Sequence, residues 1–124
     1  WTYNYDKKNF NNFEFKEVSS LSINHMKNLY LLLNEKSIDL SVAVYPWPGT
    51  LRYDKSENLQ VSIWREFCEN RCLKFYNFMP DFFSKINTND FYTSYKEIFI
   101  EGDIHFNRQG NKIISDNFIK KYNN

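Results

Sequence analysis

Residues 38–45 read Ile-Asp-Leu-Ser-Val-Ala-Val-Tyr and stop at Pro46-Trp47-Pro48-Gly49. An apolar run of this length, rich in β-branched residues and ended by two prolines, specifies a strand, buried on both faces for most of its course. A helix precedes it. Leu21, Ile23, Met26, Leu29, Tyr30, Leu32 and Leu33 recur at three-and-four spacing after Ser19-Ser20, predicting an amphipathic helix to about Lys36, capped by a serine and ended by a turn at Lys36-Ser37. Beyond a polar connection over 50–57, Leu59, Ile63, Trp64, Phe67 and Cys68 mark a second helix ending near Arg71, and Leu73–Phe78 is a second strand. Strand, helix, strand in this order calls for a right-handed parallel crossover. The fold class is therefore α/β, with a parallel sheet between helical layers, a three-layer α/β/α sandwich.

The rest of the chain follows the same reasoning. Residues 1–17 have no sustained period and read as a loop or irregular arm. Met79-Pro80 breaks the second strand, Asp81–Phe83 forms a single helical turn, and 87–90 is a polar loop. Phe91, Tyr92, Tyr95, Ile98 and Phe99 mark a short helix. The last helix runs from about Asn107 to Lys121 with Ile113, Ile114, Phe118 and Ile119 on one face. Two strands are fewer than the five or six of an average sheet, and the first clear element is a helix that needs a sheet to cover. The expectation is the C-terminal part of a single domain, with earlier strands supplied upstream of Trp1 or from elsewhere.

Composition narrows the function. The 124 residues amount to one domain, and a net charge of +1 with both signs interleaved offers no surface for a polyanion, which argues against nucleic acid as a partner. The abundant aromatic residues lie beside no basic stripe and are expected to pack in the core. Cys68 and Cys72 fall on one helical face, with no second Cys or His pair to complete a zinc site, and are expected to be free thiols. No metal or other cofactor is called for. No apolar stretch approaches the roughly 20 residues that span a bilayer, and the opening Trp1-Thr2-Tyr3-Asn4-Tyr5 has no signal-peptide character. Nothing in the sequence specifies a compartment.

In an open parallel sheet, reactive groups gather beyond the carboxyl ends of the strands. Three segments qualify: Tyr45–Gly49, Met79–Asp81, and the loop before the last helix with Asp103 and His105. A carboxylate two residues from an imidazole can fix its tautomer and stabilise its protonated form, as a general base requires. Asp103 and His105 are the candidate catalytic residues; the bland alternative is a helix-capping acid beside a half-buried histidine. Tyr45 and Trp47, beyond the first strand's tip and followed by Arg52, are candidate substrate contacts, Trp47 being held between two prolines. His25, inside the first helix, reads as a surface or interhelical residue. No serine stands in a nucleophile motif: Ser19, Ser20, Ser41 and Ser62 fall at a cap, in a strand or in a helix.

The segment His105-Phe106-Asn107-Arg108-Gln109-Gly110-Asn111-Lys112-Ile113-Ile114 resembles the closing block of the SGNH (GDSL-type) hydrolases. There a catalytic histidine is followed two residues later by Asn or a similar residue, five later by glycine, and then by an apolar helix. Asn107 can cap that helix, and Gly110 is expected to let it approach the sheet. Many members place the acid three residues before the histidine; here that position is Gly102, and Asp103, two before, resembles the Asp-x-His form of SGNH proteins associated with polysaccharide acylation. The likeness covers about residues 20–122 in the order of the domain's C-terminal half. It implies an SGNH/flavodoxin-like sandwich and a serine esterase or O-acyl esterase acting on a small-molecule or carbohydrate acyl ester, with this chain supplying the Asp/His half of the triad. The Gly-Asp-Ser-like nucleophile block and the Gly-x-Asn-Asp-like block of oxyanion donors have no counterpart. A competing reading is a non-catalytic or degenerate α/β module that binds carbohydrate or a protein partner.

Overall fold

The computed structural model describes residues 13–122. In chain order its elements are helix α1 (Phe13–Glu35), strand β1 (Ser41–Val44), helix α2 (Pro48–Tyr53), helix α3 (Leu59–Cys68), strand β2 (Lys74–Asn77), helix α4 (Met79–Phe83), a 3-10 turn (Thr88–Asp90), helix α5 (Phe91–Ile98) and helix α6 (Arg108–Tyr122). β1 and β2 pair as a two-stranded parallel sheet, so the chain is mixed α/β and mainly helical. It divides into two compact units, one holding the described residues up to Val42 with Ile63–Phe75, the other Ala43–Ser62 with Tyr76 onward.

In the first unit α1 begins earlier than its serines imply. Ser19 and Ser20 lie inside the helix, and residues 13–17, expected in an irregular arm, are helical; the rest of that arm lies outside the described residues. A serine in mid-helix costs only about 0.5 kcal/mol, less than starting a new helix after it. The end comes where expected. Lys36 and Ser37 form the turn, the Ser37 and Ile38 amides donate to the carbonyls of Asn34 and Leu33 (both 3.0 Å), and Ser37 sits at φ 54°, the left-handed position that usually closes such a motif with glycine. His25 is exposed, as anticipated. The apolar stripe of α1 is only partly covered: Ile23, Met26, Tyr30 and Leu33 are half-buried, while Leu21, Leu29 and Leu32 are exposed.

Cys68 and Cys72 are joined in a disulfide, which overturns the expectation of free thiols. α3 stops at Cys68, three residues short of the expected end, and the turn after it brings the Cys72 amide to the Cys68 carbonyl (3.1 Å). The Cα atoms are then 4.7 Å apart, within bridging range. The spacing that puts both thiols on one face is also the spacing that lets them meet.

β1 corrects a second expectation. It is not buried on both faces, since Ser41 and Ala43 are exposed and Val44 alone is fully buried; among the described residues the sheet has only two strands.

The second unit holds the main core: Leu51, Tyr76, Phe78, Phe82, Tyr95, Ile98, Phe99 and Ile113, with Phe106 packed against it. Aromatic packing is thus the main use of the chain's rings here. The expected polar connection over 50–57 contains α2 instead. Pro46 and Pro48 follow β1, and Pro48 also starts a helix, because proline at the first helical position sacrifices no hydrogen bond. Asn58 caps α3 by accepting from the Val61 amide (3.1 Å). The single turn at Met79–Phe83, the short helix α5 and the last helix stand within one or two residues of their predicted bounds.

Candidate active site

The loop between α5 and α6 is a small hairpin. Phe99 and Phe106 form an antiparallel bridge, the Ile100 amide donates to the His105 carbonyl (3.0 Å), and the Asp103 amide donates to the Ile100 carbonyl (2.9 Å). The last contact closes a four-residue turn in which Gly102, at φ 77°, holds the position where glycine alone is free of Cβ strain. Asp103 therefore ends the turn, with its side chain folded forward onto Ile104 and His105.

There Asp103 Oδ1 accepts from the Ile104 amide (2.6 Å), the His105 amide (3.3 Å) and His105 Nδ1 (2.8 Å). The hydrogen bond from His105, followed by that from Ile104, holds the Asp103 carboxyl below its ordinary pKa. In a neutral ring, an acid accepting at Nδ1 favours the tautomer with the proton on Nδ1, and among the described residues nothing bonds Nε2. The imidazole is 74% exposed. Oriented at one nitrogen and open at the other, it is placed as a general base is placed. No hydroxyl or thiol among the described residues hydrogen-bonds to it.

Two further residues brace the loop. The Tyr95 hydroxyl accepts from the Asp103 amide (2.9 Å) and lies 2.8 Å and 2.7 Å from the carbonyls of Ile100 and Asp103, one of which takes its proton. Its only sequence signal is a hydroxyl on the buried side of a short helix. Asn107 does more than cap: Oδ1 accepts from the Gln109 and Gly110 amides (2.8 and 3.1 Å), and Nδ2 donates to the carbonyls of Lys96 and Phe99 (3.0 and 3.1 Å). One side chain thus closes the start of α6 and the end of α5.

Gly110 permits a close approach, but not to the sheet. A Cβ there would stand 2.3 Å from the Ile98 carbonyl oxygen and 2.8 Å from the Phe106 ring, so the glycine seats α6 on the end of α5 and on Phe106. Phe106 stacks on Phe82 (4.8 Å) and meets Phe99 (4.9 Å), which anchors the residue next to His105 in the core.

The two aromatic candidates part company. The Tyr45 ring lies 5.6 Å from that of Phe106, which brings it beside the histidine loop, and it is 44% exposed. Trp47 precedes α2, accepting the Leu51 amide on its carbonyl (3.1 Å); its exposed indole makes no ring contact or hydrogen bond among the described residues. Nearby, the Tyr92 hydroxyl donates to Glu101, which pushes its phenol above the usual pKa. No group of three or more His, Cys, Asp or Glu gathers to hold a metal among the described residues, and no described helix is long and apolar enough to cross a membrane.

Comparison with protein-family models, with curated proteins and with solved structures finds no match.

Proposed function

We propose that the chain supplies the Asp/His half of a serine ester hydrolase of the SGNH type, acting on an acyl ester of a small molecule or carbohydrate. The observation that carries this reading is the 2.8 Å contact from His105 Nδ1 to Asp103, with Nε2 open. A serine and the oxyanion donors would come from chain outside these 124 residues. In that reaction the serine oxygen attacks the ester carbonyl as His105 Nε2 takes its proton. The tetrahedral oxyanion rests on the outside donors, and His105 returns the proton to the leaving alkoxide. Asp103 keeps Nδ1–H in place and stabilises the imidazolium. The second step repeats this with water, releasing the acid.

A three-layer α/β/α sandwich is part of the same proposal. Two observations support it: the exposed face of β1, and the uncovered leucines of α1, which further strands would cover.

In the full-length parent, p-nitrophenyl acetate turnover should fall roughly a thousandfold or more in His105→Ala with the far-UV spectrum unchanged. Retained turnover removes His105 from the mechanism. Residues 1–124 alone should not react with a fluorophosphonate; an internal labelled serine would place the nucleophile within this chain. The second reading, a non-catalytic or degenerate α/β module, draws on the absence of any hydroxyl bonded to His105 among the described residues. In it the Asp103–His105 pair only staples the loop.

A further inference from the structure

Within the second unit, α2 and residues 86–95 enclose an open groove of about 720 Å³. Arg52 lines it, with its guanidinium carbon 5.1 Å from the Tyr53 ring centre and 5.6 Å from that of Phe91. A guanidinium set against rings is covered on its faces, while its N–H groups lie in its plane and remain free to donate. Arg52 makes no hydrogen bond or ion pair among the described residues. Asp90 also lines the groove, but its carboxylate caps α5 through the Thr93 amide (3.3 Å).

The polar tips around Arg52 are equally unengaged. The hydroxyls of Tyr53 and Thr88 and the side-chain amide of Asn89 make no hydrogen bond among the described residues. Tyr53 and Tyr92 are each more than half exposed; the Tyr92 hydroxyl is held by Glu101 and Lys96 Nζ lies 4.6 Å from its ring centre, so Tyr92 offers only the exposed part of its ring. We propose that this groove binds an acidic saccharide, with Arg52 taking the sugar carboxylate.

Each part of the ligand follows from a part of the groove. A planar fork of donors matches a carboxylate, which it binds through two parallel hydrogen bonds. Arg52 is the only cation in the lining, one charge for one acid group, where a polyphosphate would call for several. Tyrosine rings offer apolar surface to the C–H face of a pyranose, and hydroxyl and amide tips pair with its ring hydroxyls. An open groove that mixes apolar and aromatic walls with a guanidinium, hydroxyls and a side-chain amide suits a saccharide, which has both C–H faces and hydroxyls, better than an acyl chain. The proposal stands whether or not the chain belongs to a hydrolase, because its readout is binding and not turnover.

Titration of 15N-labelled protein with trigalacturonate, maltotriose and inorganic phosphate tests it. Trigalacturonate should shift the amides of residues 49–53 and 88–92 saturably, and maltotriose should bind there about tenfold or more weakly. Phosphate should leave those amides unmoved at the same concentration. Arg52→Gln should bring trigalacturonate down to the level of maltotriose, and Lys55→Gln, which removes the same charge outside the groove lining, should not. Equal binding of the two trisaccharides by the wild type overturns the proposal without recourse to any variant. So do trigalacturonate shifts confined to other residues, phosphate shifts matching those of trigalacturonate, or an Arg52→Gln protein that keeps its preference.

Discussion

Asp103 shows how a short stretch of chain sets up its own chemistry. Its carboxylate accepts from two following amides and from the imidazole two residues on, all within reach of a single turn, so the pair is legible from spacing alone. The pH dependence has a definite sign. Because Asp103 is held below its ordinary pKa, the contact is intact above the unfolded carboxylate value of about 3.9 and is lost as pH falls through the lower folded value. The Asp103 Cγ resonance should therefore titrate at a lower pH in the native protein than in urea; a native midpoint at or above the unfolded one would mean that the carboxylate is not engaged in solution. Tyr95 was not legible in this way, because its role depends on a hydroxyl meeting backbone eight residues away that only the fold brings to it.

At the scale of elements, helix ends carry most of the information. The prolines after β1 illustrate the ambiguity of a breaker: Pro46 follows the strand's end at Val44, whereas Pro48 begins α2, an effect that a breaker pattern alone does not announce. Ser37 occupies a left-handed position that glycine adopts without strain. Ser37→Gly should stabilise the protein by about 0.5–1 kcal/mol, seen as a higher urea midpoint at unchanged slope, and a lower midpoint would contradict the assigned turn. Gly110 behaves oppositely. Its missing Cβ is what lets α6 meet the Ile98 carbonyl and the Phe106 ring, so Gly110→Ala should cost roughly 2–3 kcal/mol despite alanine's better helix propensity. A neutral or stabilising result in chemical denaturation would show that α6 sits farther from α5.

For the whole molecule, the question is how much apolar surface the chain leaves in water. Leu21, Leu29 and Leu32 lie within an arc of about 80° on α1 and are each more than 40% exposed, beside a face that is half-buried. The protein should enhance 8-anilinonaphthalene-1-sulfonate fluorescence, and Leu29→Lys with Leu32→Lys should remove most of the enhancement while preserving helical content. An unchanged signal in the double variant would locate the apolar patch elsewhere.

The sequence by itself determined the alternation of helices with two short strands, the Asp-Ile-His loop and the asparagine that opens the last helix. Apolar periodicity and hydrogen bonds spanning a few residues suffice to specify these. Tertiary structure alone decided that Asn107 also closes α5, that Gly110 clears Ile98 and Phe106, that Tyr95 anchors Asp103, and that half of the α1 stripe stays uncovered. These depend on which surfaces of separate elements meet, and local pattern carries no record of that. The disulfide lies between the two: its spacing was plain, but whether the sulfurs meet turned on where α3 ends.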